Sequence, residues 1–129
     1  MGRYFSSRPI AARARLVIVA SPLEDKPIRS YVLRSGRITN AQQRAIDEHW
    51  PKWGLDPSNG TLSPEKVFER ASETVLEIGF GMGESLIQLA SQEPDINFIG
   101  VEVHSAGVGR LLREIVSRDL KNIRIFWHD

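Results

Sequence analysis

Three glycines and three acids carry the chemistry that is legible in this sequence. Gly79, Gly81 and Gly83 alternate in the run Gly79-Phe80-Gly81-Met82-Gly83, directly after the apolar stretch Thr74-Val75-Leu76-Glu77-Ile78. Glycines so placed let the backbone take positive φ and approach a ligand where a Cβ would obstruct it. Glu77 stands near the end of that apolar stretch and Glu102 near the end of the next, Asn97 to Val103. Asp129 lies just past a third, Ile123 to Trp127. An unpaired carboxylate in an apolar strand costs roughly several kcal/mol, so Glu77 calls for backbone donors or a cationic ligand.

Two cofactor classes use such a turn. The dinucleotide fingerprint, G-x-G-x-x-G, seats a pyrophosphate at the helix that follows. Here the position of the last dinucleotide glycine is Glu84, where an acid would face and repel a pyrophosphate. The spacing therefore points to a ligand without phosphate. S-adenosylmethionine is such a ligand: a sulfonium and an ammonium against one carboxylate leave it net cationic. Glu102, nineteen residues after Gly83, stands where a doubly wound fold places the acid that accepts both ribose hydroxyls. Asp129, at the same sheet edge, is placed to accept from the adenine amino group. The competing reading is that all three are surface acids at strand ends. His104 follows Glu102 closely and invites a catalytic role, but a histidine there more often packs or hydrogen-bonds at a pocket rim, which is the role expected of it. No His pair at ligand spacing supports a metal, and a chain without cysteine has neither a disulfide framework nor a Cys-based zinc site.

The elements that must position these residues follow from pattern. Thr74 to Ile78 is a short strand, and Glu84 to Gln92 has helical composition, with Leu86, Leu89 and Ala90 available for the inner face. Pro94-Asp95 breaks that helix, and Asn97 to Val103 is a second strand. Val108, Leu111, Leu112, Ile115 and Val116 then form one apolar helical face. Asn122 marks the end of that helix, and Ile123 to Trp127 is a third strand. Strand, helix, strand, helix, strand is the first half of a doubly wound parallel sheet, an α/β fold of Rossmann-like type. Right-handed crossovers set the order third-second-first. The first strand is then expected to be an open apolar edge where a fourth should pair, leaving marginal stability and no activity in this chain alone.

Upstream, the charge is uneven. Residues 1–44 hold nine Lys or Arg against two acids, a balance of +7, whereas residues 45–129 hold eight against fourteen, −6. A basic arm on an acidic body suits a polyanion partner, and it also suits a solvated tail. Residues 1–28 read as a flexible basic leader, although Leu16-Val17-Ile18-Val19-Ala20 within it is strand-like and has no hairpin partner nearby. Residues 29–72 read as a basic helical segment before the domain at 73–129. Thr39 and Gln42 have capping-box spacing, so a helix is expected from Asn40 to about Trp50, ended by Pro51. Trp50 and Trp53 are expected to pack against the main domain in preference to stacking on bases. Ser63-Pro64-Glu65 opens a short helix through Arg70. No apolar run approaches the ~18 residues of a membrane helix, so a cytoplasmic protein is expected.

At these residues the sequence resembles the bacterial tRNA (guanine-N(7)-)-methyltransferases. Leu76 to Gly83 is similar to that family's cofactor loop, Gly100-Val101-Glu102-Val103-His104 to its second acidic motif, and Trp127-His128-Asp129 to the start of its third. Arg29 to Arg34, Gly36-Arg37-Ile38-Thr39 and His49-Trp50-Pro51 resemble its N-terminal region. The likeness runs from about Arg29 to Asp129. It implies S-adenosylmethionine as cofactor, with Glu77, Glu102 and Asp129 at cofactor-binding positions, and methyl transfer to guanine N-7 in tRNA. It places a further acid, in an Asp-Pro-Trp context implicated in catalysis, beyond Asp129. Arg29, Arg34 and Arg37 are expected to contact tRNA phosphates. The other readings are a methyltransferase for another substrate class and a non-catalytic remnant that binds cofactor or tRNA weakly. Oligomeric state is left open.

Overall fold

A computed structural model describes residues 16–20 and 37–128. The elements run β1 (Leu16–Ala20), α1 (Asn40–Trp53), β2 (Gly54–Leu55), a 3-10 turn at Pro57–Asn59, α2 (Pro64–Phe68), β3 (Thr74–Ile78), α3 (Glu84–Gln92), β4 (Asn97–Glu102), α4 (Ser105–Ser117) and β5 (Ile123–Trp127). The sheet is fully parallel in the order β1-β3-β4-β5-β2. The expected β3-α3-β4-α4-β5 unit is present, and its strands lie in the expected order. The sheet has five strands among the described residues, two more than sequence pattern supplied.

Both additions correct an expectation. The edge of β3 is not open: Leu16–Ala20 pairs along its whole length, from Leu16 beside Thr74 to Ala20 beside Ile78. The leader's apolar run therefore has a partner, more than fifty residues away and parallel, a pairing that no hairpin signal could reveal. On the other side the two-residue β2 pairs Gly54 with Ile125 and Leu55 with Phe126. The rest of the leader and Arg29 to Gly36 lie outside the described residues.

Strand alternation sorts the faces. Val75, Phe98, Ile123 and Ile125 point to the face that carries α3 and α4, where Leu86, Ile87, Ala90, Val108, Leu111, Leu112 and Ile115 complete the core. In α3 the inner face differs from expectation at one position, since Ile87 is buried while Leu89 is 42% exposed. The opposite face has α2, whose Phe68 ring lies under the Arg124 guanidinium. It also leaves Ile18 and Ile78 well exposed.

Helix α1 lies alongside α4 and runs parallel to it, with Gly109 against Gln42 at one end and Trp53 Nε1 donating to the Leu120 carbonyl at the other. Its capping box forms as expected: the Thr39 hydroxyl accepts from the Gln42 N–H while the Gln42 side chain accepts from the Thr39 N–H. Pro51 does not end the helix, which continues to Trp53. A proline within a helix sacrifices one backbone bond. Here burial of Trp53 and its bond to Leu120 hold the last turn in place. Trp50 meets Trp127 edge to face at 6.2 Å, so both N-terminal tryptophans pack as expected. The short helix also stops earlier than expected, at Phe68, because Glu69 takes a left-handed conformation.

Candidate functional site

The glycine loop joins β3 to α3 at the carboxyl edge of the sheet. Gly79, Gly81 and Gly83 all have positive φ, at 76°, 63° and 81°. Side chains rarely tolerate that region, which is why the sequence alternates as it does. The Gly79 N–H donates to the Val101 carbonyl at 2.8 Å, so the loop starts as an extension of the β3–β4 ladder. Gly83 then serves as the N-cap of α3, with its α-carbon against Leu111.

Register brings the acids to this edge. Glu77 pairs with Gly100. Glu102 is two residues further along the neighbouring strand, so both carboxylates lie on the helix-bearing face, and both are buried. Glycine at 100 leaves room for the rings and methyls of Phe80 and Leu86, which a Cβ there would strike at 2.6 Å. Phe80, the apolar residue of the loop, is thereby anchored in the core.

Glu102 is the best-defined group of the site. Its Oε2 accepts from the Gly81 N–H at 2.6 Å. Its Oε1 accepts from the Val103 N–H at 2.9 Å, the His104 N–H at 3.2 Å and the His104 ring Nδ1 at 2.7 Å. Burial alone would raise this carboxyl, but the bonds from the His104 ring and from the three backbone N–H groups outweigh it and hold the group below its ordinary range. The carboxylate is therefore ionised at neutral pH and ties the loop to the start of α4. Gly107 completes that junction, because a Cβ on it would overlap the Gly81 carbonyl oxygen.

Sequence reasoning placed Gly79, Gly81, Gly83, Glu77 and Glu102 together, and they do meet at one edge. Asp129, Arg29 and Arg34 lie outside the described residues. Arg37 is exposed, two residues before the N-cap of α1. His104 hydrogen-bonds at the rim, as expected. Glu84 behaves differently from the expectation: its carboxylate turns outward to Arg110 at 3.0 Å and is 77% exposed. The pairing weakens its repulsion of a phosphate, so the case against a dinucleotide rests on the missing glycine more than on charge. Gly107 was missed by sequence reasoning; its only signal was a glycine in the first turn of a helix.

Concave surface also lies along the helix seams. One groove of about 510 Å³ runs between α1 and α4, past Arg44, His49 and Arg113. Another, of about 490 Å³, borders the loop at Met82 and Gly83. Among the described residues, no group of three His, Asp or Glu side chains is arranged to hold a metal ion. No helix of the described residues is long and apolar enough to cross a membrane.

Comparison with known proteins agrees with this geometry. Residues 71–129 match a family described as "Putative methyltransferase". The chain is 51% identical over 104 residues to a tRNA (guanine-N(7)-)-methyltransferase of Alcanivorax borkumensis, covering 81% of this chain and 44% of that protein. It is 50% identical over 104 residues to the enzyme of the same name from Shewanella frigidimarina, again 81% and 44%. With that of Marinobacter nauticus it shares 52% over 99 residues, 77% of this chain and 42% of that one. The chain thus spans under half the length of these curated relatives. A glycine loop and two buried acids at the carboxyl edge of a parallel sheet, together with this similarity, place the chain in the bacterial tRNA (guanine-N(7)-)-methyltransferase family.

Proposed function

We propose that this chain supplies the S-adenosylmethionine-binding part of an enzyme that methylates N-7 of guanine in tRNA, and that the protein works in the cytoplasm. The observation that carries the reading is Glu102, a buried, ionised carboxylate at the end of β4 bonded to the glycine loop. A sheet of this type takes its ligand outside the carboxyl ends of the strands, and an acid at that strand end suits a ribose diol.

The residues present fit the cofactor. The left-handed glycines carry no Cβ atoms, so the loop backbone can lie close to a ligand, and the second buried acid, Glu77, suits a ligand of net positive charge. When bound, S-adenosylmethionine supplies a methyl group activated by its sulfonium. Glu102 would accept from the ribose hydroxyls, the backbone of Gly79 to Gly83 would hold the methionine part, and Asp129 would accept from the adenine amino group. Guanine N-7 presents a lone pair on the major-groove edge, so its methylation demands no general base. Orientation of donor and acceptor then does most of the catalytic work. Arg29, Arg34 and Arg37 contact tRNA phosphates from the basic arm. The experiment is calorimetry of the intact protein with S-adenosylhomocysteine and, in parallel, NAD. Binding of the first in preference to the second is expected; preference for NAD would overturn the cofactor assignment.

A further inference from the structure

The four hydrogen bonds on Glu102 have a consequence for ligand entry. A carboxylate offers about two lone-pair positions on each oxygen, and here four donors share the two oxygens unevenly: the N–H groups of Gly81, Val103 and His104, and the His104 ring. Oε1 alone receives three. Oε2 receives only one, so one hydroxyl of a diol finds a place there, but the second, seeking Oε1, must replace one of its three donors. Three of the donors are backbone groups. Releasing Gly81 means moving a loop wedged against Gly107, and releasing Val103 or His104 N–H means unwinding the junction between β4 and α4.

The fourth donor is a side chain. The His104 ring is 42% exposed, whereas the Glu102 side chain it caps is 6% exposed. Its Nδ1 carries the shared proton, since a carboxylate can only accept. The ring makes no other hydrogen bond among the described residues. Rotation about its own side-chain bonds takes it to solvent, where water takes the place of the carboxylate. Of the four donors it is the one that can leave without disturbing the backbone.

We propose that His104 is a placeholder for the ligand: it satisfies Glu102 while the site is empty, and the ribose hydroxyls of the cofactor displace its ring. This rests on the assignment of Glu102 to the ribose. His104 is thus a positioning residue that acts through Glu102, and it sets the affinity by competing with the hydroxyls. Removing the ring leaves Oε1 with two donors instead of three, so the place that the ring held is open to a hydroxyl.

The test uses the intact protein and S-adenosylhomocysteine, with 2′-deoxy-S-adenosylhomocysteine as a probe that lacks one ribose hydroxyl. His104→Ala is expected to bind S-adenosylhomocysteine about three- to tenfold tighter than the parent, the equivalent of one modest hydrogen bond. The gain should shrink with the deoxy probe and vanish in a Glu102→Ala background. Equal or weaker binding by His104→Ala, with Glu102→Ala clearly weakened, would overturn the placeholder and leave the ribose assignment standing. Unchanged binding by Glu102→Ala alone would overturn both. A second readout needs no variant of His104. In the free protein the shared Nδ1 proton should give a downfield NMR signal that disappears on saturation with S-adenosylhomocysteine, and its persistence in the complex would refute displacement.

Discussion

Gly107→Ala isolates the contact between the glycine loop and α4. In an ordinary helix interior, alanine in place of glycine gains about 1 kcal/mol. Here the added Cβ would overlap the Gly81 carbonyl oxygen and lie 3.2 Å from its carbonyl carbon. Backbone cannot rotate aside as a side-chain tip can, so the loop must retreat by about 1 Å or more to restore ordinary packing distance. The Gly81 N–H stands 2.6 Å from Glu102. A retreat of that size takes it to the limit of hydrogen bonding or beyond. Breaking a bond to a charged acceptor costs about 1.5–3 kcal/mol, which exceeds the helical gain. The expected outcome is weaker S-adenosylhomocysteine binding by about tenfold or more, with a net loss of stability of about 0.5–2 kcal/mol. Calorimetry and urea unfolding measure the two. Gly109→Ala is the control, since its Cβ would strike Gln42 of α1 at 2.6 Å and meet no atom of the loop among its nearest neighbours. It should lose stability and keep ligand affinity. Parental affinity in Gly107→Ala, or equal loss of affinity in Gly109→Ala, would refute the argument that this junction shapes the site.

Glu102→Ala should weaken S-adenosylhomocysteine binding by about 1.5–3 kcal/mol, and unchanged calorimetric affinity would remove the ribose assignment. Because the folded state holds the Glu102 carboxyl below its ordinary value of 4.5, its contribution to stability is full above that value and is lost as pH falls through the lowered one. Urea titrations from pH 6 to pH 3 should therefore show a steeper acid loss in the parent than in Glu102→Gln; parallel curves would contradict the sign. Neutralising Arg29, Arg34 and Arg37 together should weaken tRNA binding and flatten the salt dependence of log K by about 0.7 to 0.9 for each phosphate that is no longer neutralised. An unchanged slope in a filter-binding series would assign the arm another purpose.

Local pattern carried most of the fold. The β3 and β5 limits and the α3 limits follow from apolar runs bounded by turn residues, and these elements depend on their neighbours mainly for burial. What escaped was non-local. The pairing of Leu16–Ala20 with β3 and of Gly54–Leu55 with β5 closes long loops in parallel register, for which no adjacent turn gives a signal. Asn122 shows the same limit. It reads as simple helix punctuation, yet its buried amide lies 3.0 Å from the carbonyls of Ala90, Glu93 and Ile96 and closes the end of α3. Pro51 misled for a related reason, since tertiary burial of Trp53 outweighed a local breaker.

The site was more legible than the outer strands because its parts are linked by register. A period of two puts Glu77 on the helix-bearing face once Val75 is in the core, and the β3–β4 pairing then puts Gly100 beside Glu77 and Glu102 one step beyond. Glycine at 100 admits Phe80, burial of Phe80 pins the loop, and the pinned loop delivers the Gly81 N–H to Glu102. Sequence spacing alone reveals the two ends of that chain, the alternating glycines and the acid nineteen residues later. It cannot show that Oε1 of the acid is already saturated, because two of the three donors on it are backbone groups, which no side-chain pattern records. The one donor that sequence does display, His104, is also the one free to move, so the residue that drew attention as a possible catalyst is better explained by what it covers.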